Sequence, residues 1–249
     1  MRRFLCCLAA LLMISSVRAD DVLVAVAANF TAPMKEIAAS FEQATGHRAR
    51  LAFGSTGKLY AQIRNGAPFS VLLAADADTP EMLERLGLAV PDSRRTYAIG
   101  RLALWSPDPA RVDLSGRILA DPDLERLALA NPKLAPYGRA AEQTLKALGL
   151  WETLKPRLVL AESISQSFEL VASGNVPAGF VALSQIMRDG RLLSGSAWHV
   201  PAYMHAPLTQ DLVLLRPGAD SAAAAALVKF MGSPQARRVI DDYGYRVPP

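Results

Sequence analysis

The sequence predicts an α/β protein of two lobes, each a mostly parallel sheet covered by helices. Short apolar runs of Val, Leu and Ala recur between amphipathic stretches, the alternation that builds such sheets. The runs are continuous, as in strands buried on both faces. The alternation breaks near Ile99 and again near Tyr203, where two longer runs, residues 98–105 and 208–215, are placed to join the lobes. On this division one lobe takes residues 20–98 and 204–249, and the other residues 99–203.

Residues 22–28 (VLVAVAA) form the first strand and run into Asn29, Phe30 and Thr31. The helix that follows carries Met34, Ile37, Ala38, Phe41 and Ala44 on one face and closes at Gly46. Residues 49–53 are a strand, 54–57 (GSTG) a turn, and Leu59, Tyr60 and Ile63 mark the next helix, stopped by Asn65, Gly66 and Pro68. A third strand at 71–75 leads to a short helix that Thr79 caps, with Pro80 at its first position. Beyond the first long run, strands are expected at 127–130, 158–161 and 178–183. Helices are expected at 138–148, from 166 to Gly174, briefly at 184–188, at 222–231 and from Ser233 through Ile240.

Charge and termini narrow the function. The chain has 249 residues, with 27 Lys and Arg against 23 Asp and Glu. Residues 1–19 hold three arginines and no acid, so the remainder carries 24 basic against 23 acidic groups, a net of +1. Nearly neutral and scattered charge excludes the dense basic patch of a nucleic-acid protein. Within residues 1–19, Arg2 and Arg3 precede an eleven-residue apolar run, 4–14, that ends before Val17 and Ala19. A membrane span needs roughly 20 apolar residues, so the segment reads as a cleavable secretory signal and the product as a soluble periplasmic protein. Both cysteines, Cys6 and Cys7, leave with it, which removes disulfide and thiolate chemistry.

The candidate chemistry lies in four strand-to-helix turns: Ala28 with Asn29, Ser55 with Thr56, Tyr137 with Gly138, and Ser163 with Ile164. Open α/β sheets bind ligands at the carboxyl ends of their strands, where helix N-termini point. A helix N-terminus offers free N–H groups and about half a positive charge. Four converging termini, with donors from Asn29, Ser55, Thr56 and Tyr137 side chains, would make a cage for a small ionised oxyanion without any salt bridge. Ser, Thr and Asn also serve as ordinary helix caps, so each turn taken alone stays open to either reading. Glu162 adjoins the fourth turn and its direction is open as well.

The segments AVAANFTAPMKEIAASFEQATG, FGSTGKLYAQIRNGAPFSVLLAADADTPEML, YAIGRLALW, NPKLAPYGRAAEQTLKALG, ESISQSFELVASGNVPAGFVALSQI and GSPQARRVIDDYGY, in this order, resemble the periplasmic molybdate-binding proteins of ABC importers. The resemblance spans residues 20–249 almost entirely. It implies a two-lobed type II periplasmic binding protein fold that holds molybdate or tungstate through backbone N–H groups and hydroxyls. It further implies a monomer that docks transiently on a membrane ABC permease, has no cofactor and is not an enzyme. Motif by motif, it places Asn29 at the ligand where many relatives have Ser, with Ala28 beside it. It places Thr56 with Ser55, the Tyr137 amide, and the Ile164 amide. Many relatives have a Tyr where this chain has Ala182, and the Tyr137 hydroxyl is the expected replacement.

Other signals have plainer readings. Residues 54–58 (GSTGK) lack the spacing of a phosphate loop, and Leu59 stands where its metal-binding hydroxyl belongs. His47, His199 and His205 have no metal-site spacing. Asp76 and Asp78 read as loop and cap residues, and Tyr97, Tyr203, Tyr243 and Tyr245 as core and hinge packing. The competing functions are a receptor for sulfate, thiosulfate or another small oxyanion and, from a different class, a two-lobed phosphate-ester hydrolase, which would need an acid/base or metal cluster in the cleft.

Overall fold

The computed structural model describes residues 20–248, so the expected signal segment at 1–19 lies outside the described residues. In chain order the strands are β1 (Asp21–Ala27), β2 (Arg48–Gly54), β3 (Val71–Leu73), β4 (Arg95–Gly100), β5 (Leu102–Ser106), β6 (Leu127–Ala130), β7 (Leu158–Ala161), β8 (Gly179–Ala182), β9 (Met187–Arg188), β10 (Arg191–Leu192), β11 (Ser196–His199) and β12 (Leu208–Leu214). The helices are α1 (Thr31–Thr45), α2 (Thr56–Arg64), α3 (Asp78–Arg85), α4 (Pro136–Ala147), α5 (Trp151–Leu154), α6 (Ile164–Ala172), α7 (Ala222–Met231) and α8 (Pro234–Asp242).

Two five-stranded sheets organise the chain, ordered β2-β1-β3-β12-β4 and β11-β5-β8-β6-β7. The strands that alternate with helices pair in parallel, β1 with β2 and β3, and β6 with β7 and β8. The returning strands pair antiparallel: β12 with β3 and β4, and β5 with β8 and β11. Each sheet is therefore mixed, because the strands nearest the lobe crossings come back against the direction of the βα units. Apolar side chains cover both faces of each sheet. Phe30, Ile37 and Phe41 fill one side of the first sheet, and Leu59, Leu72 and Leu83 the other. Leu104, Leu129 and Phe180 lie on one side of the second sheet, and Trp105, Val171 and Val181 on the other.

The apolar run at 98–105 is not one strand. It breaks at Arg101 into β4 in the first sheet and β5 in the second, so it is a crossing between lobes. An unbroken apolar pattern does not reveal a change of sheet. The short helix expected at 184–188 is a 3-10 turn, Leu183–Gln185, followed by β9. Tyr203 is 84% exposed and takes no part in the core.

Local chemistry sets the helix starts. Pro136 occupies the first turn of α4, and Ser163, Ser221 and Ser233 cap α6, α7 and α8 by accepting N–H bonds. Gly138 lets α4 approach β6 closely: a Cβ there would lie 2.2 Å from the Ala130 carbonyl oxygen. Gly138→Ala is expected to push α4 off the sheet and lower stability by about 1–3 kcal/mol, as overpacking does, measured by urea unfolding. An unchanged midpoint would show that the α4–β6 junction yields freely.

Candidate functional site

The four turns meet at one cavity between the sheets. Ala28, Asn29, Ser55, Thr56, Tyr137 and Ile164 all line it, with Ala27, Ala75, Ala135 and Pro136. Its volume is about 10 Å³, room for about one water and far below the roughly 300–1,000 Å³ of sites for drug-sized ligands. Among the described residues no charged side chain lines it.

Helix starts supply most of the residues that line this space. Thr56 and Ile164 are the first residues of α2 and α6, Tyr137 is the second of α4, and Ala28 and Asn29 open a 3-10 turn. First-turn N–H groups have no acceptor within their own helix. No side chain caps the 3-10 turn, α2 or α4, and Ser163 caps α6 through the Gln166 N–H, which leaves that of Ile164 uncapped. All six predicted residues are at most 6% exposed.

The side chains separate capping from binding. Ser55 stands in the cap position of α2 without capping it. Its buried Oγ has no hydrogen-bond partner among the described residues. Buried hydroxyls are normally paired, so this one is free to meet an acceptor in the cavity. The Thr56 hydroxyl accepts the Ala75 N–H at 3.0 Å and keeps its own proton to donate. Asn29 departs from the expectation of a side-chain donor: its Nδ2 donates to Gln210 Oε1 at 2.8 Å and to the Tyr245 hydroxyl at 2.9 Å. Both Nδ2 hydrogens serve the protein, so the Asn29 side chain has no N–H left for the cavity.

A buried polar cluster backs the site. The Tyr97 hydroxyl lies 2.9 Å from the Ala74 carbonyl and 3.0 Å from Gln210 Oε1, and Gln210 Nε2 donates to the Tyr137 hydroxyl at 3.1 Å. The Tyr245 hydroxyl lies 2.8 Å from the Asn29 carbonyl, to which Ser184 Oγ also donates at 2.9 Å. Burial pushes all three phenols above their ordinary pKa of 10.0, so they remain protonated. Tyr97 and Tyr245 are buried in the core as expected, but the role of Gln210 is not evident in the pattern LTQDLVLL. The only signal there is a polar pair inside an apolar strand.

Charged groups stay at the rim and pair across it. Glu162 turns to Lys58 at 2.6 Å, Asp76 to Arg139 at 2.7 Å, and Glu36 to Arg188 at 2.8 Å. Asp76 also accepts the Thr79 N–H; α3 starts at Asp78, so Thr79 and Pro80 lie inside its first turn and Thr79 does not cap it. Each pair joins a residue between β1 and β4 to one between β6 and β11, so each bridges the lobes. The Gly57 N–H donates across the same junction to Leu134 O at 2.9 Å, and Ser165 Oγ to Ala28 O at 3.0 Å.

Comparison with known proteins agrees with this architecture. Residues 22–246 match the family model described as bacterial extracellular solute-binding protein. The molybdate-binding protein ModA of Azotobacter vinelandii is 51% identical over 243 residues, covering 98% of this chain and 96% of the relative. That of Rhodobacter capsulatus is 51% identical over 228 residues, covering 91% and 88%. The solved Azotobacter vinelandii periplasmic molybdate-binding protein superimposes with a TM-score of 0.89 at 40% identity, covering 92% of this chain and all of that one. A sulfate-binding protein from Mycobacterium tuberculosis shares the fold, with a TM-score of 0.71 at 12% identity, covering 92% of this chain and 87% of that one. With its donor-lined cavity between two α/β lobes and these relatives, the chain belongs to the family of bacterial extracellular solute-binding proteins, on the branch that holds the molybdate-binding proteins.

Proposed function

We propose that this protein captures molybdate or tungstate in the periplasm and delivers it to a membrane ABC permease. The observation that carries the reading is the orphaned Ser55 hydroxyl in a cavity lined by helix starts and free of charged side chains. The ligand set we propose is the backbone at Ala28, Asn29, Ser55, Thr56, Tyr137 and Ile164, with the Ser55 and Thr56 hydroxyls. The relatives named for molybdate support the choice of anion.

The magnitudes suffice. A hydrogen bond to a charged group contributes about 1.5–3 kcal/mol net, so six or seven give roughly 10–20 kcal/mol gross. Nanomolar affinity needs about 12 kcal/mol, and ordering the ligand and closing the lobes draw on the remainder. In this reading the segments 20–98 with 204–249, and 99–203, move as two bodies about the crossings between β4 and β5 and between β11 and β12. The anion binds one body, and closure brings in the donors of the other.

Calorimetric titration with molybdate, tungstate, sulfate and phosphate is expected to show tight one-to-one binding of the first two alone. Equally tight sulfate binding would move the protein to the competing receptor class. Ser55→Ala separates affinity from stability. It should weaken molybdate binding about 10- to 100-fold. The ligand-free protein should melt at an unchanged or higher temperature, because a buried unpaired hydroxyl is removed. A melting point lowered in parallel with affinity would make Ser55 a structural residue. Glu36→Gln removes one pair across the lobes and should cost about two- to five-fold in affinity, as exposed pairs do. Hydrogen bonding from Arg188 holds the Glu36 carboxyl below its ordinary 4.5. Its contribution is therefore full above that value and fades as the pH falls through the lowered one. The gap between wild type and variant, followed by titration at several pH values, should narrow in acid.

A further inference from the structure

Gln210 is fully buried in β12, a strand of the first sheet, yet its side chain reaches the second lobe. Its Oε1 accepts from Asn29 Nδ2 at 2.8 Å, on the same lobe, and its Nε2 donates to the Tyr137 hydroxyl on α4 at 3.1 Å. One amide thus spans two of the turns that build the cavity, one from each lobe.

The backbone is arranged around this contact. The pairing of β12 with β4 shifts register between Gln210 and Asp211, and such bulges re-aim side chains beside functional sites. Gln210 is turned to the site, while Asp211 accepts from Thr96 at 2.7 Å and from Arg94 at 3.1 Å. Gly100, the last residue of β4 before the crossing, leaves the space the contact occupies. A Cβ there would lie 2.3 Å from the Tyr137 hydroxyl oxygen and 2.5 Å from Gln210 Nε2. A residue needed only to fill the core would be apolar here, as Leu208, Leu212 and Val213 are on the same strand.

We infer that Gln210 is a positioning residue for anion capture: it does not line the cavity, but clasps Tyr137 to Asn29 when the lobes close and so slows release of the bound anion. The clasp crosses the lobe junction, so opening breaks it. Its contribution belongs to the closed, loaded state and is read in dissociation more than in association. The inference rests on the molybdate-capture reading above.

The test is a double-mutant cycle on molybdate dissociation, measured by stopped-flow on the full mature chain. Gln210→Met keeps the volume and removes donor and acceptor; Tyr137→Phe removes the acceptor on the other side. Each is expected to speed release about 3- to 10-fold with little change in association, the scale of one net hydrogen bond. The double variant should release no faster than the faster single variant within about two-fold, because both cut the same link. Gly100→Ala reaches the clasp from a third position. It should speed release by a similar factor, and less so in the Tyr137→Phe background. Thermal melts identify a variant that fails to fold, in which case the remaining pair completes the cycle. Independent, multiplying effects of Gln210 and Tyr137, or unchanged release in both, would overturn the clasp while wild-type binding still upheld the capture reading. Wild type that bound sulfate instead of molybdate would overturn that reading, and the same cycle run with sulfate would still decide the clasp.

Discussion

Buried hydrogen-bond donors raise the free energy of a fold until something accepts from them. Most of this chain obeys that constraint by ordinary means, with Ser163, Ser221 and Ser233 capping their helices. At one place it does not. The starts of α2, α4 and α6 and the 3-10 turn after β1 face a common space, and Ser55 in the cap position declines to cap. The parallel βα units produce this convergence because each strand delivers its helix start at the same edge of the sheet. Two such edges face each other only because the chain crosses between sheets at Gly100 and Arg101 and returns through β12.

The surroundings keep that space free of charge. Three ion pairs stand at its rim, and they join the lobes instead of reaching inward. Lys58 and Glu162 are each about half exposed, so their pair contributes little energy and mainly sets how the rims meet. Deeper in, the neutral cluster of Asn29, Tyr97, Gln210 and Tyr245 takes its hydrogen bonds from itself. A network satisfied internally in a low dielectric is rigid. It therefore holds the backbone of Asn29 in place without spending the donors that face the cavity.

The parts of this arrangement were unequally legible in the sequence. Continuous apolar runs and glycine stops mark β1, α1 and α2 because burial on both faces and left-handed helix ends leave local traces, as at Gly46, whereas the edge strand β2 has no buried residue. All six candidate residues line the cavity because strand-to-helix turns are local too. What was hidden depends on long-range geometry. The break of the 98–105 run between sheets leaves no mark in hydropathy. The antiparallel return of β12 does not alter its apolar pattern. Ser55 and Ser163 look alike as small residues before a helix, and only the fold shows that one caps and the other does not. Gln210 leaves no local mark because its partners, Asn29 and Tyr137, lie 181 and 73 residues away.

The donors proposed to bind an anion would also make the closed form conditional. Closing the lobes without an acceptor would bury several N–H groups and the Ser55 hydroxyl unpaired, at about 1–3 kcal/mol each. Water can relieve part of that in a polar cavity, but a neutral water balances no positive helix ends, whereas a dianion meets all of them at once. A lysine or arginine fixed among the turns would make empty closure costlier still, as an unpaired buried charge, and would hold the guest after the lobes part. With backbone dipoles alone, the attraction exists only while the turns point at one place. Separating the lobes by a few ångströms would therefore dissolve the site as well as open it, which suits the proposed capture and release.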